Sequence, residues 1–197
     1  MAEVVLGIAS SHSPQMTVPS SEWAVMRQKD ENDKRIDYPG LLKRVKRNLE
    51  ADLAPECWKA RYDACQQGIA KVGEVLREAK PDVVVCFGDD QHEQFLDDNM
   101  PAVSIFHGES FPVLHKHREG GPSWMKVEEH NWAQTKPEYQ ANADLALHLI
   151  NSLVDQEFDV ARTNRLRTDV GIGHAFSFLY RRVWPGTEMP LVPVMVN

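Results

Sequence analysis

The chain has 197 residues, 42% of them hydrophobic and 26% charged, and 29 acidic against 22 basic residues leave a net charge of −7. That is enough for one well-formed core and too apolar for a disordered chain, and the acidic total lacks the basic face that neutralises nucleic-acid phosphates. No apolar run approaches the roughly 20 residues that span a bilayer, the start MAEVVLGIASSHSP is not built like a signal peptide, and Cys57, Cys65 and Cys86 form no CxxC pair and no disulfide framework, so a soluble cytoplasmic protein is expected.

In chain order, the short apolar run Val4 to Ala9 ends in the polar turn Ser10-Ser11-His12-Ser13-Pro14 and reads as a buried strand. Met16 to Tyr38 is polar without a clear period and reads as a long loop with one helical turn at most. Leu41 to Leu53 and Trp58 to Ala79 read as helices; in the second, Cys65, Ile69, Val72 and Leu76 recur at three- and four-residue steps. Pro81 stops that helix, and Asp82 to Phe87 is the strongest strand signal in the chain. The loop Gly88-Asp89-Asp90-Gln91-His92 follows, then a strand over Ala102 to Phe106 and a long Gly-, Pro- and His-rich loop from His107 to Trp132. Pro137 opens a helix running to Leu153. Phe158 to Ala161 and Leu191 to Val196 read as strands, and His174 to Val183 as a helix after the turn Gly171-Ile172-Gly173. Alternating strands and helices of these lengths indicate an α/β domain with a mostly parallel or mixed central sheet flanked by helices.

Sites in open α/β sheets collect outside the carboxyl ends of the strands. His12 and His92 both stand at such expected exits, which suits residues that must keep their geometry. Ser11 and Ser13 flank the first; Asp89, Asp90 and Glu93 surround the second, as partners that orient an imidazole do. For a single histidine an ordinary polar loop position is the commoner explanation; two at strand exits shift the balance. His174 sits in Gly171-Ile172-Gly173-His174-Ala175-Phe176-Ser177-Phe178, where glycines allow close approach and an imidazole can move protons. His115-Lys116-His117 has the HxH spacing of a zinc site, but Lys116 and Arg118 oppose a cation and fit a basic loop that meets an anionic substrate. His130 and His148 read as structural or exposed. No P-loop, GxGxxG, GxSxG or HExxH is present.

The Ser-His-Ser-Pro opening, the segment VVVCFGDDQHEQF and the turn GIGHAFSF, in that order, resemble the class III extradiol ring-cleavage dioxygenases. This family includes the catalytic subunit of protocatechuate 4,5-dioxygenase, gallate dioxygenase and 3-O-methylgallate dioxygenase. The resemblance runs over essentially the whole chain. It implies a non-haem Fe(II) site of two histidines and one carboxylate that cleaves a catechol-type ring with dioxygen. Carried over by motif, His12 and His92 are the iron ligands and His174 the acid/base histidine. Asp90 is a supporting residue and His115 or His117 a further pocket histidine. A net charge of −7 gives a carboxylated substrate no global attraction, so a local basic group is expected to meet it, with Arg118, Lys116 and Lys126 as the candidates.

The family also supplies a glutamate ligand after its PVVPV-like strand. Here that strand is PLVPVMVN and runs to Asn197, and Glu188 lacks the matching context. The expectation is a single dioxygenase-like catalytic domain over 1–197 that is the N-terminal part of a longer one, its carboxylate ligand beyond Asn197. A small aromatic substrate and dioxygen are the expected reactants, with a homo-oligomer or a small partner subunit and no nucleic acid or membrane. Two alternatives stay open: a metal-dependent hydrolase using His12, His92 and Asp89 or Asp90 around zinc or manganese, and a non-catalytic metal-binding relative acting as a binding module.

Overall fold

A computed structural model describes residues 2–113, 137–167 and 171–197. The described chain divides into two compact units, one of residues 9–72 and one of residues 2–8, 73–113, 137–167 and 171–197.

The second unit is built on a four-stranded sheet. Its strands are β1 (Val84–Asp89), β2 (Val103–Phe106), β5 (Ala161–Thr163) and β6 (Leu191–Val196), in the order β1-β6-β2-β5. β1 pairs parallel with β6 and β2 parallel with β5, whereas β2 and β6 run antiparallel. The sheet is therefore mixed. A small antiparallel ribbon joins β3 (Ser110–Pro112) to β4 (Glu138–Gln140).

Residues of β6 are buried on both faces from Leu191 to Met195, as its apolar run requires. One face carries Ile105, Val192 and Val194, which pack against Ala146 and Ile150 of the helix Ala143–Asp155. That helix starts at Asn142, whose side chain accepts from the amide of Leu145 at 3.0 Å. On the other face, the short helix His174–Phe178 sits on β1 so closely that a Cβ at Gly88 would touch the Ala175 methyl and the Phe176 ring. Aromatic rings continue this layer: Phe106, Phe111 and Tyr180 lie 6.1 and 6.2 Å apart in sequence, and Tyr139 stacks on Tyr180 at 3.8 Å. The outward residues of β1 stay exposed, Phe87 by 72%, and among the described residues no strand pairs with its outer edge.

Within this layer, burial pushes the Cys86 thiol up to about 11 from the usual 9.0. It also raises the Tyr180 phenol, which donates to the Met189 carbonyl at 2.8 Å. Both groups are neutral when folded, and both are held above their unfolded values. The stability Cys86 contributes is complete below pH 9 and is lost as pH climbs from 9 through 11, whereas that of Tyr180 begins to be lost only above the ordinary phenol value of 10. Melting temperature followed from pH 7 to 11 should fall in that window, and Cys86→Ala should flatten the first part of the fall. A parallel decline in both proteins would remove Cys86 as a cause.

The first unit is helical: Pro14–Thr17, Trp23–Asn32, Tyr38–Arg44 and the leading part of the long helix Pro55–Ala79. Trp23 anchors it, its indole N–H donating to the Val18 carbonyl at 3.0 Å and its ring lying 6.2 Å from Trp58 and 6.4 Å from Tyr62. The Gln66 amide adds a bond to the Met16 carbonyl at 2.9 Å.

Four sequence expectations change. Residues 2–13 form neither strand nor helix, and Val4 is 89% exposed; strand propensity is realised only against a paired backbone and a covered face, and this run has neither. The expected loop over Met16–Tyr38 contains the ten-residue helix Trp23–Asn32, hidden because it buries only Met26. The expected helix Leu41–Leu53 breaks after Arg44 and resumes as a 3₁₀ turn at Ala51–Leu53. Part of the expected loop after His107, and the expected helix start at Pro137, are instead strands β3 and β4.

Candidate active site

β1 ends at Asp89, and the next residue keeps the ladder for one more step, the Asp90 amide donating to the Val196 carbonyl at 3.1 Å. The Asp90 side chain is then turned inward, only 1% exposed. Its carboxylate accepts from the Gln94 amide at 2.8 and 3.1 Å and from the Phe95 amide at 2.9 Å, while its carbonyl accepts from the Glu93 amide at 2.9 Å. One buried carboxylate thus winds residues 90–95 into a tight loop. The winding holds Gln91 and His92 in the left-handed region, at φ 48° and 59°. Two successive non-glycine residues there cost conformational energy that only a well-determined loop sustains.

The result is that His92 points outward. Its Nε2 lies 3.0 Å from an Asp97 carboxylate oxygen, and both side chains are exposed, so water competes strongly for this pair. Glu93 and Gln94 point the other way. The Gln94 side chain accepts from the Arg167 amide at 2.9 Å and donates to the Gly171 carbonyl. Glu93 Oε2 accepts from the backbone N–H of His174 at 2.8 Å and lies 3.1 Å from His174 Nδ1. Glu93 is 4% exposed and the His174 side chain 23%, so the carboxylate sits beneath a partly open imidazole.

Glycines permit this approach at two points. Gly171 has φ 65°, in the left-handed region, and bridges Val113 of the ribbon. At Gly173 a Cβ would run into Glu93 Oε2. The motifs DDQHEQF and GIGHAFSF, some eighty residues apart, therefore form one hydrogen-bonded structure.

His12 lies in the other unit, half-buried and two residues before the helix Pro14–Thr17. Because residues 2–13 are irregular, it does not stand at a strand exit, contrary to the sequence expectation. Ser11 Oγ accepts from the Ser13 amide at 3.3 Å. His115, His117 and Arg118 lie outside the described residues. His148 is exposed on the helix Ala143–Asp155. Cys86 lies in β1 and Cys57 and Cys65 on the helix Pro55–Ala79, none in the arrangement of a nucleophile with its base.

Imidazoles suit an iron or zinc ion. Among the described residues, however, no three His, Cys, Asp or Glu side chains gather closely enough to hold a metal. Both Asp90 carboxylate oxygens are taken up by the amide bonds that wind its loop. The described residues thus do not make up a complete three-ligand centre. What they do assemble is an imidazole with one nitrogen against a buried carboxylate and a partly open face.

In the sequence Glu93 stands beside His92, whereas its carboxylate accepts from His174. Nothing in the local sequence marks Gln94, because its partners are more than seventy residues away.

Residues 51–197 match the family described as the catalytic LigB subunit of aromatic ring-opening dioxygenase. That range contains Asp90, His92, Glu93 and His174 and leaves out His12. The chain is also 26% identical over 137 residues to a 2,3-dihydroxyphenylpropionate/2,3-dihydroxicinnamic acid 1,2-dioxygenase of Comamonas testosteroni. The alignment covers 68% of this chain and 36% of that protein, so the chain spans about a third of its curated relative's length. Both linked loops fall inside a match covering most of the sequence, and the chain belongs to the family of the catalytic LigB subunit of aromatic ring-opening dioxygenase.

Proposed function

We propose that the protein takes part in extradiol cleavage of a catechol-type aromatic by dioxygen, with a protocatechuate-, gallate- or 3-O-methylgallate-like compound as substrate. The observation that carries this reading is the family match over residues 51–197, which includes both His92 and His174. In this reading His12 and His92 supply imidazoles to a non-haem Fe(II), together with a carboxylate that the described residues do not contribute. Held there, the iron would supply the electron exchange with dioxygen that the reaction requires. Arg118 would meet the carboxylate of an acidic substrate, and His115 or His117 would line the pocket.

The chain's own contribution is proton transfer. His174 receives a proton from a substrate hydroxyl and returns one as the ring opens. Its partly open imidazole and its buried carboxylate neighbour support that role.

The test begins with anaerobic Fe(II) loading and the nitrosyl EPR signal, in the wild type and in His12→Ala and His92→Ala. Oxygen uptake and the yellow ring-fission product are then followed with catechol, protocatechuate, gallate and 3-O-methylgallate. An iron–nitrosyl signal lost in both variants, with yellow product from at least one substrate, is expected. Iron-loaded protein that consumes no oxygen with any of the four would overturn the reading. Oxygen-independent hydrolysis supported by zinc or manganese would replace it with the hydrolase alternative.

A further inference from the structure

We infer that Glu93 is the positioning residue of His174, fixing both its ring orientation and its tautomer so that Nε2 is the nitrogen that exchanges protons with substrate. A single carboxylate oxygen, Oε2, makes both contacts: it takes the backbone N–H of His174 at 2.8 Å and faces Nδ1 of the same residue at 3.1 Å. Gripping main chain and ring from one point leaves the side chain little rotational freedom.

The choice of tautomer follows from elementary chemistry. A neutral imidazole carries one N–H and one lone pair, and an ionised carboxylate accepts hydrogen bonds without donating any. With the carboxylate at Nδ1, the proton belongs on Nδ1 and the lone pair on Nε2. A histidine in that form is ready to act as a base at Nε2 and, once charged, to return the proton from the same atom. The carboxylate also stabilises the transient imidazolium. Burial strengthens this, since Glu93 is 4% exposed and water screens the pair poorly.

The surroundings hold Glu93 itself in place. Its amide is bonded to the Asp90 carbonyl at 2.9 Å, and the following residue, Gln94, is tied to Arg167 and Gly171 on the strand of chain leading to His174. Gly173 leaves the space that the carboxylate occupies. A merely structural Glu93 would need only the bond to the His174 backbone.

The kinetic part of this inference rests on the proposed ring cleavage; the tautomer part does not. The experiment therefore has two readouts on the wild type, Glu93→Gln and Glu93→Ala. Ring-¹⁵N NMR of His174 in metal-free protein should show the Nδ1–H form in the wild type. In Glu93→Gln the amide oxygen can take the place of Oε2 and keep both contacts, so the fold is kept while the charge that stabilises the imidazolium is lost; Glu93→Ala removes the acceptor from Nδ1 and lets the Nε2–H form appear. Steady-state turnover of the iron-loaded proteins should then show kcat lowered about 10–100-fold with KM changed less than about twofold. An Nε2–H form in the wild type, a spectrum unaffected by Glu93→Ala, or a kcat unaffected by Glu93→Gln would overturn the inference. The expected spectra together with no ring cleavage by the wild type would uphold Glu93 as the residue setting the tautomer and count against the dioxygenase reading alone.

Discussion

Replacing His174 by Gln is expected to lower kcat for ring cleavage by about 10²–10⁴-fold, the range that a general acid/base group commonly supplies. KM for the aromatic substrate should change little, because the imidazole's contribution comes as protons move and not on binding. Glutamine keeps the backbone N–H that Glu93 accepts, so the short helix His174–Phe178 retains its start. The measurement is oxygen uptake under saturating substrate, with melting temperature as a control. A loss under about tenfold, or one confined to KM, would show that His174 binds or shapes the site without transferring protons.

Asp90→Ala should destabilise the protein by about 2–4 kcal/mol, since the amides of Gln94 and Phe95 would lose the carboxylate acceptor they share in a part-buried setting. Urea unfolding of the purified chain measures this directly. Asp90→Asn keeps one acceptor oxygen and should lose less. The alanine variant should also disturb His174, because Glu93 reaches it only while the loop is wound. An unfolding free energy within about 0.5 kcal/mol of wild type would mean the loop holds without its carboxylate.

The sequence announced elements whose burial is strongly one-sided or complete. Leu191–Val196 lies where its apolar run predicts, the Val84–Asp89 strand is displaced by two residues, and the helix Pro55–Ala79 begins three residues early. Elements whose stability comes from distant partners were not legible. The antiparallel pairing of β2 with β6 and the ribbon of β3 with β4 depend on registers between segments far apart in the chain. Conversely, Val4–Ala9 looks like a strand only while its lack of a partner is invisible.

The site shows the same division. Gly171, Gly173 and His174 stand out as a turn beside a histidine, and Asp90 and His92 as a polar strand exit. That Glu93 belongs to His174 could not be read from spacing, since the bond spans eighty-one positions. Nor did the pattern reveal that Asp90 faces inward to hold amides.

The hydrogen bonds linking Glu93 and Gln94 to Arg167, Gly171 and His174 also decide when conformational entropy is lost. Backbone freedom of the residues so linked is given up as the chain folds, with the sheet and helices compensating for it. A ligand reaching His174 therefore meets a 90–95 loop already ordered beneath it, and its interaction energy is not diminished by freezing that loop.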